Sequence, residues 1–89
     1  MYLSEKARAL LLEAALDPAG LILRLTTLGG GGFLKSNGRS FGDGTPIEQA
    51  RWESAIQQLL RLGLIEPGSD RVFCITQSGS RVADDLRRR

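Results

Sequence analysis

The chain has 89 residues, of which 42% are hydrophobic and 25% are charged. This balance is typical of one small globular domain with a single core, so we treat residues 1–89 as one domain. The sequence holds no histidine, and Cys74 is its single cysteine. An intramolecular disulfide, a Cys/His zinc site and Ser-His or Cys-His catalysis are therefore excluded within the chain. We expect a protein that is not an enzyme and binds no metal and no cofactor.

The positive charge of the chain is concentrated at its end. The 12 Lys and Arg residues exceed the 10 Asp and Glu residues by two, and the pI is 9.2. Three arginines form a basic tail at residues 87–89, and without them the bases no longer outnumber the acids. Composition alone therefore does not indicate a strongly basic surface for nucleic acid.

The sequence also bears on where the protein works. No apolar run in the sequence is longer than residues 9–12, which is far short of the ~20 residues that a membrane span requires. A charged segment follows the first three residues, which is unlike a signal peptide. A lone thiol is typical of proteins in a reducing compartment. We expect a cytoplasmic protein without membrane contact.

The first half of the chain predicts a helix followed by a β-hairpin. Ser4 is a suitable N-cap for a helix over residues 5–16, a run without β-branched residues. Alternating leucines predict a strand over residues 21–28. The four glycines at 29–32 predict a turn, residues 33–36 a returning strand that Asn37-Gly38 closes, and residues 39–44 an irregular loop. The apolar stripe predicted for the helix is Ala7, Leu10, Leu11 and Ala14.

The second half predicts a helix, a hairpin and a closing helix. Thr45 as N-cap, Pro46 at the first helical position and Glu48 three residues after the cap form a capping box. This helix runs to about residue 62, and Gly63 is placed for a left-handed C-terminal residue. Residues 64–66 and 71–75 flank a turn at 67–70, and Thr76 caps a last helix through about residue 87. The aromatic side chains predicted for the core are Phe33, Phe41, Trp52 and Phe73.

Residues 59–65 read Leu-Leu-Arg-Leu-Gly-Leu-Ile, and after the second hairpin Phe73, Ile75, Thr76 and Gly79 lead into the closing helix. In these features residues 46–86 resemble winged helix-turn-helix domains, as in small winged-helix-like modules of uncharacterised bacterial proteins. The resemblance implies an α+β fold in the order helix, β-hairpin, helix, β-hairpin (the wing) and helix. It also implies a DNA-binding or regulatory function, with double-stranded DNA as the partner.

A second hypothesis stays open because the first half departs from this pattern. A DNA-binding helix-turn-helix has a positioning helix before its recognition helix, and residues 21–44 carry no helical period. The alternative is a protein-interaction or dimerisation module of a larger bacterial protein, without DNA binding. Near-neutral charge without the tail favours it, as does a first hairpin whose edge could accept a strand.

The candidate DNA-contacting residues fall into two groups. The outward face predicted for the second helix carries side chain types that read base edges, and the first hairpin carries three bases for phosphate contact. The alternative interpretation is a solvated helix face of mixed charge and a charged strand protected against pairing with other chains. The helix group is Arg51, Ser54, Gln57, Gln58 and Arg61, and the hairpin group is Arg24, Lys35 and Arg39.

The four glycines at 29–32 are not a phosphate-binding loop by sequence. The Gly-Lys-Ser/Thr ending of such loops is missing, and no helix is predicted to start there. We expect a flexible hairpin tip.

Overall fold

The structure is a computed structural model that describes residues 2–26, 28 and 31–88. Its first helix, α1 (Glu5–Leu16), has the predicted bounds. The hydroxyl of Ser4 accepts a hydrogen bond from the backbone N–H of Ala7 at 3.2 Å, so the predicted N-cap is confirmed. The buried residues of α1 are the predicted Ala7, Leu10, Leu11 and Ala14.

Three strands lie between α1 and the second helix, where two were predicted. They are β1 (Leu21–Thr26), β2 (Gly32–Ser36) and β3 (Arg39–Phe41). Thr27, Gly29 and Gly30 lie outside the described residues, so half of the predicted glycine turn is not described. Gly32 belongs to β2, where it pairs with Thr26, and was wrongly assigned to the turn.

Residues 39–41 form a strand and not the predicted irregular loop. Asn37 and Gly38 both have positive φ, at 53° and 77°. Two consecutive positive φ values are the signature of a type I′ turn, whose twist matches the strands it joins. Asn37-Gly38 is therefore the turn of a hairpin between β2 and β3, in which Leu34 pairs with Phe41. The predicted first hairpin is part of a three-stranded meander.

The second helix, α2 (Pro46–Arg61), begins and ends as predicted, with Thr45 as N-cap. The Thr45 hydroxyl accepts from the N–H of Glu48 at 3.3 Å. The reciprocal half of the predicted capping box is absent, because Asp43 accepts from Thr45 N at 2.9 Å and from its hydroxyl at 2.7 Å. Glu48 instead pairs with Arg51. Beyond α2, Gly63 has the left-handed φ of 72° expected for a helix C-terminus.

The predicted second hairpin and closing helix are confirmed. The hairpin is β4 (Ile65–Pro67) and β5 (Val72–Ile75), and the helix is α3 (Gln77–Arg87). Thr76 caps α3 by accepting from the N–H of Gly79 at 3.0 Å. The first residue of the predicted basic tail, Arg87, is therefore helical, and Arg89 lies outside the described residues.

All five described strands join one antiparallel sheet in the order β3-β2-β1-β5-β4. Its centre is β1, which pairs with β2 on one side and with β5 on the other. The two predicted hairpin regions thus form a single sheet. The fold belongs to the predicted α+β class, but its first unit is a three-stranded meander joined to the second hairpin.

Helices α1 and α2 pack on one face of this sheet, which we call the inner face, and α3 packs against α1. Ile22, Leu34 and Phe73 point from the strands into the core, beside helix residues such as Leu10, Ile56 and Leu59. Trp52 is 8% exposed and its ring centre lies 5.0 Å from that of Phe41. The predicted core positions of Trp52, Phe41 and Phe73 are confirmed. No helix in the described part of the chain is long and apolar enough to cross a membrane.

Candidate interaction surfaces

The outward face of α2 holds four of its five predicted DNA-contacting residues in exposed positions: Arg51, Ser54, Gln57 and Arg61. Gln58 is partly buried and used within the fold. Its Oε1 accepts from the N–H of Ser4 at 3.0 Å, and its Nε2 donates to the carbonyl of Tyr2 at 3.4 Å. Gln58 therefore fastens the start of α1 to α2.

A groove of about 530 Å³ runs between the start of α1 and the outward face of α2. Lys6, Arg51 and Arg61 contribute positive charge to it, and Glu5 contributes negative charge. The Lys6 ammonium lies 4.6 Å from the centre of the Trp52 ring, and Arg51 Nη1 lies 3.3 Å from Glu48 Oε2. Two of the three cations of the groove thus have partners within the chain.

The three predicted bases of the first hairpin do not form one surface. Leu23 pairs with Lys35 and Arg24 pairs with Leu34, and successive residues of a strand point to opposite faces. Arg24 therefore lies on the inner face with the buried Leu34, whereas Lys35 lies on the opposite face. The strand alternation itself separates two bases that are close in register.

Arg24 and Arg39 are both paired with acids of the helices. Arg24 Nη2 donates to Glu53 Oε2 at 2.9 Å, its Nε lies 2.8 Å from Glu53 Oε1, and its guanidinium stands 5.1 Å from the centre of the Phe73 ring. Arg39 Nη1 lies 3.5 Å from Glu13 Oε2. Both arginines therefore tie the sheet to helices, and the eight predicted contact residues do not converge.

The face of the sheet turned away from the helices, which we call the outer face, carries a continuous apolar patch. Register places Leu23 beside Val72, Leu21 beside Cys74, and Leu25 beside Phe33. All are partly exposed, and none belongs to the core or to the side chains packed against it. We call this set the outer patch: Leu21, Leu23, Leu25, Phe33, Val72 and Cys74.

The outer patch was missed at the sequence level, and the predicted core position of Phe33 was wrong. Phe33 alternates with the buried Leu34, so it points away from the helices. A signal was present in residues 21–23, which read Leu-Ile-Leu. Three consecutive apolar residues in a strand indicate two apolar faces, and Ile22 alone faces the core.

Two charged residues border the outer patch on opposite sides. Lys35 extends from β2 next to Leu23, and Glu66 extends from β4 next to Cys74. Both side chains are exposed, and neither forms a salt bridge with another described residue. A depression of about 130 Å³ lies beside Lys35, and Leu21, Leu23 and Asp17 are among its lining residues.

Among the ionisable groups, Asp43 is distinguished by its pKa. Asp43 has a pKa lowered from its ordinary 3.8, chiefly by the hydrogen bond from the Thr45 hydroxyl and then by that from the Thr45 N–H. This carboxylate shapes the start of α2. No cluster of three or more Cys, Asp or Glu side chains that could hold a metal ion is found in the described ranges.

No family model, curated protein or solved structure matches the chain.

Proposed function

We propose that this chain is a non-catalytic protein-interaction module that forms a homodimer through its outer patch. The observation that carries the proposal is the sheet with helices on one face and six partly exposed apolar side chains on the other. Antiparallel sheets that face water on one side normally present polar residues there. Covering the outer patch would remove apolar area from water, which is the main favourable term in protein association.

The size of the outer patch supports a second copy as its occupant. Three strands about 4.8 Å apart and five residues of about 3.3 Å each give the outer patch a footprint of roughly 240 Å², and its border at Glu66 on β4 extends the contact face to roughly 300 Å². The largest exposed apolar patches on typical monomers cover about 300–600 Å² and are often functional, and the outer patch with its border reaches the lower end of this range. Two flat faces of equal size can stack about 10 Å apart, as the sheets of a β-sandwich do.

The same dimensions set the expected strength of the dimer. Two footprints together bury on the order of 600 Å² or somewhat more, which is below the ~1,200 Å² of standard stable complexes. We therefore expect weak, reversible association, with a dissociation constant on the order of 100 µM.

Sedimentation equilibrium from about 10 µM to 1 mM protein, a range centred on that affinity, tests the proposal. The weight-average mass should rise with concentration from 9.7 kDa toward twice that value. Leu23→Lys places a charge at the centre of the outer patch and should keep the chain monomeric. Leu16→Lys is the matched control, because Leu16 is an exposed leucine at the end of α1 and outside the patch.

Circular dichroism of each variant verifies that it is folded. A wild-type chain that stays monomeric to 1 mM would overturn the proposed homodimer. Unchanged association of a folded Leu23→Lys variant would overturn the assignment to the outer patch.

DNA binding through α2 is the second candidate function. It is supported by the resemblance of residues 46–86 to winged helix-turn-helix domains and by the exposed Arg51, Ser54, Gln57 and Arg61 of α2. Pairing of Arg24 and Arg39 with acids weighs against it, since paired guanidinium groups are less available to phosphate.

Titration of a fluorescent duplex DNA at several salt concentrations tests the DNA candidate. Binding through phosphates must weaken steeply as salt rises. Arg61→Ala should then weaken binding more than Arg81→Ala, whose arginine is exposed on α3. No binding at low ionic strength would exclude this function.

A further inference from the structure

We infer that the two copies stack about a two-fold axis that runs roughly along the strands, so that Lys35 of each copy meets Glu66 of the other. This inference rests on the proposed homodimer and adds its orientation and its specificity residues. Lys35 and Glu66 stand on opposite borders of the outer patch, and neither is paired with another described residue.

The strand order sets the distance between these charges. Lys35 is on β2 and Glu66 is on β4, with β1 and β5 between them. Three strand intervals of about 4.8 Å place the two residues roughly 14 Å apart across the sheet. Leu23 and Val72 lie in the row of Lys35, and Leu21 and Cys74 lie in the row of Glu66. The apolar centre therefore separates a positive border from a negative one.

A two-fold axis along the strands places β2 of one sheet over β4 of the other. The positive border of each copy then faces the negative border of its partner, twice in the dimer, with Lys35 and Glu66 offset by two residues, or about 6.6 Å, along the strands. An axis across the strands instead places β2 over β2, which sets Lys35 against Lys35. Like charges brought together across an interface are unfavourable and reject the wrong arrangement. The borders therefore favour the first axis.

Among the described residues, the acids near Lys35 are engaged elsewhere and leave it without a salt-bridge partner. Asp17 lines the depression beside Lys35, but its Oδ2 accepts from the N–H groups of Ala19 and Leu21 at 3.0 Å each. Glu13 is held by Asn37 and Arg39. An acid from a second chain is thus the partner that the exposed Lys35 can take.

Charge-swap variants measured by sedimentation equilibrium at low salt test the orientation. Lys35→Glu alone and Glu66→Lys alone each create two like-charge contacts and should weaken homodimerisation about tenfold or more. Each variant alone should therefore be nearly monomeric at concentrations where the wild type dimerises. An equimolar mixture of the two should recover dimerisation, because in the mixed dimer every contact again joins opposite charges. The double variant should recover it as well.

Arg81→Glu is the matched control, a charge reversal on the exposed side of α3 that should leave the dimer unchanged. If Leu23→Lys abolishes dimerisation but the single charge reversals leave it intact, the outer patch is retained as the interface and the proposed orientation is overturned. If the Lys35→Glu variant associates more strongly with wild type than wild type does with itself, the two-fold axis runs across the strands. A monomeric wild type would overturn the homodimer and this inference together.

Discussion

The substitution Gly79→Ala has two effects of opposite sign on the free energy of unfolding, and the structure shows which of them is larger. Gly79 is in the first turn of α3, where alanine would favour the helix by at most about 1 kcal/mol. A Cβ at this position would overlap the backbone carbonyl oxygen of Leu64 and approach Cγ1 of Ile75 to 2.8 Å. The carbonyl cannot rotate away, because Leu64 N and O both make backbone hydrogen bonds.

Relief of this overlap requires α3 to move away from the start of β4. Such a shift would loosen the hydrogen bond of 3.0 Å from Thr76 N to the carbonyl of Leu64 and the packing of the fully buried Ala83. Overpacking of this kind costs about 1–3 kcal/mol, and more where backbone is the obstacle. After the helix gain is subtracted, we expect a net loss of about 2 kcal/mol. In a domain of this size that loss lowers Tm by roughly 10 °C.

Urea and thermal unfolding followed by circular dichroism measure this loss. Ser80→Ala, at the next and exposed position of α3, is the control, since it raises helix propensity without a clash and should change the free energy of unfolding by less than about 0.5 kcal/mol. A Gly79→Ala variant that melts at or above the wild-type temperature would refute the close approach of α3 to Leu64.

Three further experiments test which face of β1 is buried and which contacts hold α2. Ile22→Ala should lower the free energy of unfolding by about 2–4 kcal/mol because the side chain is fully buried. Leu23→Ala should lower that of a dilute monomer by less than about 1 kcal/mol. Equal losses in urea unfolding would contradict the faces assigned to the two residues. Asp43→Asn should destabilise the protein at neutral pH and have no effect in acid. The lowered pKa of Asp43 stabilises the fold above the ordinary 3.8, and this contribution disappears as pH falls through the pKa of the folded state. A difference in stability from wild type that persists below the folded pKa would exclude the charge as its cause. A double-mutant cycle of Arg24→Ala and Glu53→Gln should give a coupling of about 0.5–1 kcal/mol for this pair, whose side chains are about one-third exposed. Zero coupling would show that the ion pair contributes nothing to stability.

The candidate surfaces were predictable to different degrees. The exposure of Arg51 and Arg61 follows from helical periodicity on α2, because an amphipathic helix turns its polar side chains outward. The use of Gln58 at the start of α1 was not predictable, since it depends on a contact between residues 54 positions apart. The ion pair of Arg24 with Glu53 is equally non-local, and such pairs exist only once the sheet and α2 are packed.

The sequence by itself determined the parts of the fold that depend on neighbouring residues. The caps at Ser4, Thr45 and Thr76, the bounds of α1 and the second hairpin all follow from interactions within a few positions. Only the tertiary structure decided that β1 joins β2 to β5 and that Ile22 faces the core while its neighbouring leucines do not. Strand pairing is non-local, and a strand that is apolar on both faces is compatible with either orientation. Packing of the helices on the Ile22 side left the outer patch partly exposed.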